Sequence, residues 1–155
     1  NKIYSDIVSE LEAGKNVAML TIGDPSVYST YMYIHKRVMQ AGFTAVMISG
    51  VPSFCAAAAR LGVSLGEMGD EIHIIPASYD VRDTVGYGGT CVYMKSGKKL
   101  AELIEVLRTG DAIRKKKMTV YGVTNCGMES ERVYRGLDEL TEAKGYLTIV
   151  IVKYS

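Results

Sequence analysis

The sequence predicts an α/β protein built as a partial parallel-sheet N-terminal lobe followed by a mixed-sheet α/β C-terminal lobe. Three observations predict it. Helix-period stripes alternate with short, continuous apolar runs up to about residue 63, the pattern of parallel strands covered on both faces. Two of those runs end in turns that hold glycine and proline, the punctuation of a strand feeding a helix. Beyond residue 63 the strand-like runs follow a different order, with helices between some of them, as in a mixed sheet. The 155 residues are enough for one ordinary domain or two small lobes with a real core. The boundary is expected in the loop near Val63 to Asp70, giving lobes 1–66 and 67–155.

Ile3, Ile7, Val8 and Leu11 recur at helical spacing, and Gly14 supplies a stop. Val17 to Ile22 is continuously apolar and too short for a typical helix, so it reads as a buried central strand. Gly23-Asp24-Pro25 ends it, with Asp24 placed to cap a helix and Pro25 at its first position. The stripe Val27, Tyr31, Ile34 and Val38 holds one helical face as far as Gly42. Thr44 to Ile48 reads as a second buried strand. Ser49-Gly50-Val51-Pro52 then feeds a helix from Ser53 to about Leu61, closed by Gly62.

In the second half, Glu71 to Ile75 alternates and stops at Pro76. The glycine-rich stretch Gly86-Tyr87-Gly88-Gly89 precedes a strand from Thr90 to Met94. Leu100, Leu103, Ile104 and Leu107 define a helix expected to end at Gly110. Met118 to Thr124 and Leu147 to Val152 read as strands. Between them, Ser130 to Arg135 suits a strand and Leu137 to Ala143 a short helix. A parallel sheet with only two evident strands leaves a long unpaired edge. The first lobe is therefore expected to be incomplete, with strands preceding Asn1 or a partner chain covering that edge.

Composition excludes several functions. Eighteen basic and seventeen acidic side chains give a net charge of +1, unlike a nucleic-acid binder, which needs a clustered positive surface. No run reaches the roughly 18–20 apolar residues of a membrane span, and Asn1-Lys2-Ile3 lacks the shape of a signal peptide. Cys55, Cys91 and Cys126 form no C-x-x-C pair and no even-numbered disulfide framework. A cytoplasmic protein with reduced thiols is the expectation. Eleven Tyr and eight Met provide large, adaptable contact surface in a chain without Trp.

The familiar catalytic signatures are absent. There is no G-x-G-x-x-G after a strand, and Gly97-Lys98-Lys99 lacks the spacing and hydroxyl of a phosphate loop. No G-x-S-x-G elbow occurs. His35 and His73 have no metal-ligand neighbours at suitable spacing, so no protein-bound metal is expected. No catalytic acid, base or nucleophile can be named. The strand-to-helix turns Gly23-Asp24-Pro25-Ser26 and Gly50-Val51-Pro52-Ser53 remain. Ligands of open α/β sheets gather at the carboxyl ends of strands, glycine admits a ligand close to the backbone, and a carboxylate such as Asp24 accepts from hydroxyls or an ammonium. Physics leaves two readings of these turns open: a ligand cradle, or two well-capped helix starts.

The stretch Thr21-Ile22-Gly23-Asp24-Pro25-Ser26-Val27-Tyr28-Ser29-Thr30 resembles the G-D-P-x-x-[YF]-[SG] signature of the tetrapyrrole methylases. Ser49-Gly50-Val51-Pro52-Ser53-Phe54 is similar to their P-G-V-[ST]-[SA] turn, with proline moved from before Gly50 to after Val51. Cys91-Val92-Tyr93-Met94 resembles their strand ending in Met, and Tyr121 to Gly127 their later strand-loop. These motifs occur in the family's order and span essentially the whole chain. Within the family, Gly23 to Thr30, Gly50 to Ala59 and Tyr146 to Lys153 look most like the methylases that act on C20 of precorrin-2 or cobalt-factor II. The family's first glycine-rich loop, G-x-G-P-G-D, has no counterpart here, so the chain looks like the latter part of the N-terminal lobe with the whole C-terminal lobe. That departure puts the activity of this stretch alone in question.

The resemblance implies methyl transfer from S-adenosylmethionine to a ring carbon of a reduced tetrapyrrole in cobalamin biosynthesis, with the cofactor cleft between the lobes and S-adenosylhomocysteine as product. It places Ile22, Gly23, Asp24 and Val27 around the amino-acid and ribose portions of the cofactor. Pro52 and Ser53 fall at the second turn, Met94 at the adenine-side strand end, and Asn125 or Cys126 on the later loop. Tyr28 and Arg82 are candidates for the tetrapyrrole, as an aromatic wall and a partner for a carboxylate. Each has a plainer reading. Ile22, Val27 and Met94 suit a core, Cys126 a small buried site, Asp24 and Ser53 a helix start, and Arg82 a solvated loop. The clustered Tyr28, Tyr31 and Tyr33 suit a core or an interface, His35 and His73 the surface, and Arg114-Lys115-Lys116-Lys117 a solvated helix end. A homodimer is expected from the relatives and the open sheet edge. Two other classes fit: a non-catalytic binding lobe of the same fold, and a different α/β enzyme that binds nucleotides.

Overall fold

A computed structural model describes residues 2–113 and 117–154. By its internal contacts the chain forms two compact units, Asn1–Pro52 and Ser53–Ser155. Most of the basic run at 114–117 lies outside the described residues.

The first unit contains two helices. α1 spans Lys2–Glu12 and α2 spans Tyr31–Gln40. α1 ends where the stripe predicts, with Gly14 at φ +76° and its N–H on Leu11 O. The helices touch, and the Arg37 guanidinium lies 3.7 Å above the centre of the Tyr4 ring, a cation–π contact. α2 begins later than the Val27 stripe predicts. Residues 25–30 form turns, and the residue before the helix is Thr30 rather than Asp24.

The two expected strands of this unit are a correction. Residues 17–22 and 44–48 are irregular and form no β-ladder. Their apolar side chains lie open, with Leu20 92%, Ile22 82% and Ile48 85% exposed. A continuous apolar strand is buried only when neighbouring strands and helices cover both its faces, and the described residues supply no such neighbours.

The second unit is built on a five-stranded sheet, ordered β1-β2-β5-β3-β4. The strands are β1 (Ile72–Pro76), β2 (Thr90–Met94), β3 (Met118–Thr124), β4 (Arg132–Arg135) and β5 (Thr148–Tyr154). Among the described strands only β1 and β2 pair in parallel; β5 is antiparallel to both β2 and β3, and β4 to β3. This is the mixed sheet expected. β2 and β5 are buried along almost their whole length, which explains why their apolar runs are unbroken.

Alternation along the strands divides the core into two layers. Cys91, Tyr93, Val120, Val150 and Val152 pack with Leu100, Leu103, Ile104 and Leu107 of α4 (Leu100–Ile113) and with Leu140 of α5 (Leu137–Leu140). On the other side α3 (Ser53–Leu61), with Phe54, Ala57, Ala58 and Leu61 buried, packs on β5 and β3. α4 continues three residues past Gly110, whose position in the helix is buried. A helical glycine costs about 1 kcal/mol relative to alanine, too little to end a helix that is packed on a core. Of the weaker expectations, the strand before Arg135 shortens to Arg132–Arg135 and the following helix to a single turn, α5.

Candidate functional site

The two turns singled out from sequence do meet. Asp24 Oδ1 accepts from Ser26 N at 2.8 Å and from Ser26 Oγ at 2.5 Å, and Oδ2 accepts from Gly50 N at 3.0 Å. The residue expected to cap a helix instead closes its own turn and ties it to the second one. Gly23 stands at φ +85°, and its carbonyl oxygen would lie 2.3 Å from a Cβ added to Gly50. Only glycine at 50 allows this backbone-on-backbone approach. A carboxylate oxygen has two lone pairs, so Oδ2 has the capacity to accept a second bond beside that from Gly50.

The Ser26 hydroxyl, the Ser26 N–H and then the Gly50 N–H hold the Asp24 carboxyl below its ordinary value of 3.8. A carboxyl depressed by folding favours the native link above the unfolded value, and the link is lost as pH falls through the lower, folded value. The amide signals of Ser26 and Gly50 are therefore expected to titrate together with a midpoint below 3.8, which two-dimensional NMR checks. Nearby, Ile22 is exposed, Val27 half-buried, and Tyr28 44% exposed at φ +50°. Pro52 is half-buried at the end of the first unit, and Ser53 opens α3 in the second.

In the second unit, β2 and β3 both oppose β5, so their carboxyl ends reach the same edge of the sheet. Met94 closes β2 there, 8% exposed, and Asn125 follows β3. Thr148 Oγ1 donates to Gly145 O at 2.8 Å and lies 3.0 Å from Thr124 Oγ1. Its single proton is committed to Gly145, so Thr124 is the donor of that second bond. Ser96 Oγ donates to Thr148 O at 3.2 Å. Asn125 has φ +52°, its N–H on Leu147 O at 2.9 Å and its Nδ2 on Ser130 Oγ at 3.0 Å. Asn125, Ser130, Arg132, Tyr134, Glu142 and Lys144 border an open recess of about 820 Å³.

Cys126 is half-buried, and burial followed by the nearby Glu131 carboxylate pushes its thiol upward. A raised thiol is a poor nucleophile at neutral pH, in keeping with the plainer reading of that residue. Arg82 lies on a short 3-10 turn, Arg82–Gly86, inside the second unit. Its guanidinium is already engaged: Nη2 lies 2.5 Å and Nε 3.0 Å from Asp80 Oδ2. That pairing holds Asp80 at about 2, so a substrate carboxylate would have to compete with a charged neighbour.

The sequence marked both turns, Gly23-Asp24 and Gly50-Val51, but not the bond between Asp24 and Gly50 that joins them. Thr148, Ser96 and Glu131 carried no signal, because a hydroxyl or carboxylate in a strand or loop is ordinary until its partners are known. Among the described residues no three His, Cys, Asp or Glu side chains group as a metal site, and no helix is long and apolar enough to cross a membrane.

An α/β chain with a mixed five-stranded sheet and a glycine-aspartate turn bonded to a second glycine turn defines a narrow class. Residues 1–141 match the Tetrapyrrole (Corrin/Porphyrin) Methylases, and the chain belongs to that family. It is 32% identical over 146 residues to a probable cobalt-precorrin-2 C(20)-methyltransferase of Methanocaldococcus jannaschii, covering 92% of this chain and 61% of that protein. A cobalt-precorrin-2 C(20)-methyltransferase of Salmonella typhimurium is 22% identical, over 98% of this chain and 64% of its own length. The chain thus spans about three fifths of these curated relatives. Among solved structures, the cobalt precorrin-4 methyltransferase CbiF superposes with a TM-score of 0.82 at 16% identity, over 97% of this chain and 69% of that one. A uroporphyrin-III C-methyltransferase from Thermus thermophilus, complexed with S-adenosylhomocysteine, gives 0.76 at 18% identity, over 98% and 72%. These structural likenesses concern the fold.

Proposed function

We propose that this chain carries most of an S-adenosylmethionine-dependent C-methyltransferase of cobalamin biosynthesis, acting on C20 of precorrin-2 or its cobalt-bearing counterpart. The observation that carries the reading is the Asp24–Gly50 link, which presents a carboxylate with a spare lone pair beside two glycine peptide groups. The names of the Methanocaldococcus and Salmonella relatives support the C20 position.

The residues suit the cofactor chemically. Gly23 and Gly50 leave no side chain between ligand and backbone, and Asp24 offers an acceptor for ribose hydroxyls or the methionyl ammonium. Met94 offers a soft apolar contact for a purine edge, and the 125–126 loop a further wall. When bound, S-adenosylmethionine supplies a methyl group activated by its sulfonium. The chain's part is then to orient: it holds donor and acceptor carbon in line and excludes water, which can supply much of the barrier reduction without an acid–base pair. Tyr28, exposed beside the first turn, is offered as an aromatic surface for the flat macrocycle. A homodimer in the cytoplasm is the proposed state.

Calorimetry of the protein as its gene encodes it, titrated with S-adenosylhomocysteine, is expected to show one saturable site competed by S-adenosylmethionine. Methylation assays with metal-free and cobalt-bearing precorrin-2 then distinguish the two substrates. Absence of heat and of competition overturns the proposal. Thermal stabilisation by nucleotides in place of S-adenosylhomocysteine would assign the fold to a nucleotide-binding enzyme instead.

A further inference from the structure

The loop that follows β3 is held in a conformation that side chains rarely choose. Asn125 sits at φ +52°, a region that is uncommon for residues other than glycine. Two consecutive turns follow, closed by Met128 N on Asn125 O and Glu131 N on Met128 O, each at 3.0 Å. The Asn125 side chain adds its bond to Ser130. Hydrogen bonds within the loop shape it, but they do not attach it to the rest of the unit.

Glu131 supplies an attachment. Its side chain is only 16% exposed, and its Oε2 accepts from Gly127 N at 2.7 Å. Its other oxygen, Oε1, accepts from Arg60 Nε in the last turn of α3. One carboxylate thereby joins the loop backbone to the helix that covers the opposite layer of the sheet. The N–H of Gly127 first, and Arg60 second, hold that carboxyl below the ordinary range, so it is ionised at neutral pH.

We infer that Glu131 is a positioning residue for the cofactor: it fixes Asn125 and Cys126 at the sheet edge by clamping the Gly127 amide to Arg60 of α3. The inference rests on the reading that the 125–126 loop contacts S-adenosylmethionine. Glu131 itself touches no reacting atom. Its effect reaches the ligand through the loop backbone, so it acts on affinity and on the chemical environment of Cys126. The charged groups acting on the Cys126 thiol are Glu131, which raises it, and Arg60, which lowers it.

The test compares E131A, E131Q and R60A in the protein as its gene encodes it. Hydrogen bonds to charged groups are worth enough that E131A is expected to weaken S-adenosylhomocysteine binding about tenfold. E131Q keeps an acceptor for Gly127 and is expected to lose only about two- to threefold. The pH profile of Cys126 alkylation, read on its own peptide because Cys55 is exposed and would react as well, supplies a readout that a generally weakened fold would not produce. Its midpoint is expected to fall in E131Q, where a negative charge is gone, and to rise in R60A. Wild-type affinity in E131A overturns the inference, as does lost affinity with an unmoved Cys126 profile in E131Q. If the unaltered protein fails to bind S-adenosylhomocysteine, the proposed function falls and takes this role with it, an outcome distinct from both.

Discussion

Gly50→Ala is expected to abolish measurable S-adenosylhomocysteine binding, or weaken it at least about 100-fold, equivalent to about 2.7 kcal/mol. The added Cβ would stand 2.3 Å from Gly23 O and 3.2 Å from Gly23 C. Both atoms are backbone, so no side-chain rotation relieves the overlap, and the turns must part. Parting them breaks the Gly50 N to Asp24 Oδ2 bond and releases the carboxylate from its place. Asp24→Asn tests the same constellation without steric change. All three groups facing the carboxylate are donors or can donate, so an amide NH2 must meet an N–H or O–H in either orientation. Gly86→Ala is the control, since a Cβ there meets nothing within 4 Å. Calorimetry of the variants checks this. Normal binding by Gly50→Ala would show that the paired turns are not a ligand cradle.

That experiment decides whether the joined turns are a ligand cradle, and it shows where sequence reasoning stops. Asp24 before Pro25 has the signature of a helix cap, and local rules favour that use. The actual role, bonding Gly50 twenty-six residues away, is a tertiary fact with no local signal. The same limit explains residues 17–22 and 44–48. A continuous apolar run records that a segment is suited to burial between sheet neighbours; it does not supply those neighbours. In the second unit the neighbours are present, and there the apolar runs of β2, β3 and β5 become strands close to their predicted bounds. Periodicity also located α4, although Gly110 misled as its end. Fold class was legible because it rests on alternation and length. The polar links of the second unit were not: each joins residues of common type, Ser96 and Thr148 brought together by the sheet register and Glu131 and Gly127 by the turns of one loop.

A close backbone approach beside Ser96 gives the other large effect. Gly97→Ala is expected to destabilise the second unit by about 1–3 kcal/mol, the usual cost of overpacking. A Cβ at 97 would lie 2.6 Å from Gly145 O and 2.7 Å from Tyr146 Cα. Gly145 cannot easily yield, since it stands at φ +132° and its carbonyl accepts from Thr148 Oγ1. Displacing it would disturb Thr148, which is fully buried and receives bonds from both Thr124 and Ser96. Leu147 O, two residues along, accepts from Asn125 N, so the disturbance continues into the candidate cofactor loop. The variant is therefore expected to lose both stability and S-adenosylhomocysteine affinity, whereas Ser96→Ala, which deletes one 3.2 Å bond, costs about 1 kcal/mol and leaves affinity nearly unchanged. Thermal unfolding, where each kcal/mol moves the melting point by roughly 4–8 °C in a domain of this size, together with calorimetry, separates the two. Unaltered melting in Gly97→Ala would mean that the 145–146 backbone is free to move, and that the sheet edge is not the rigid rim on which the proposed cofactor contacts depend.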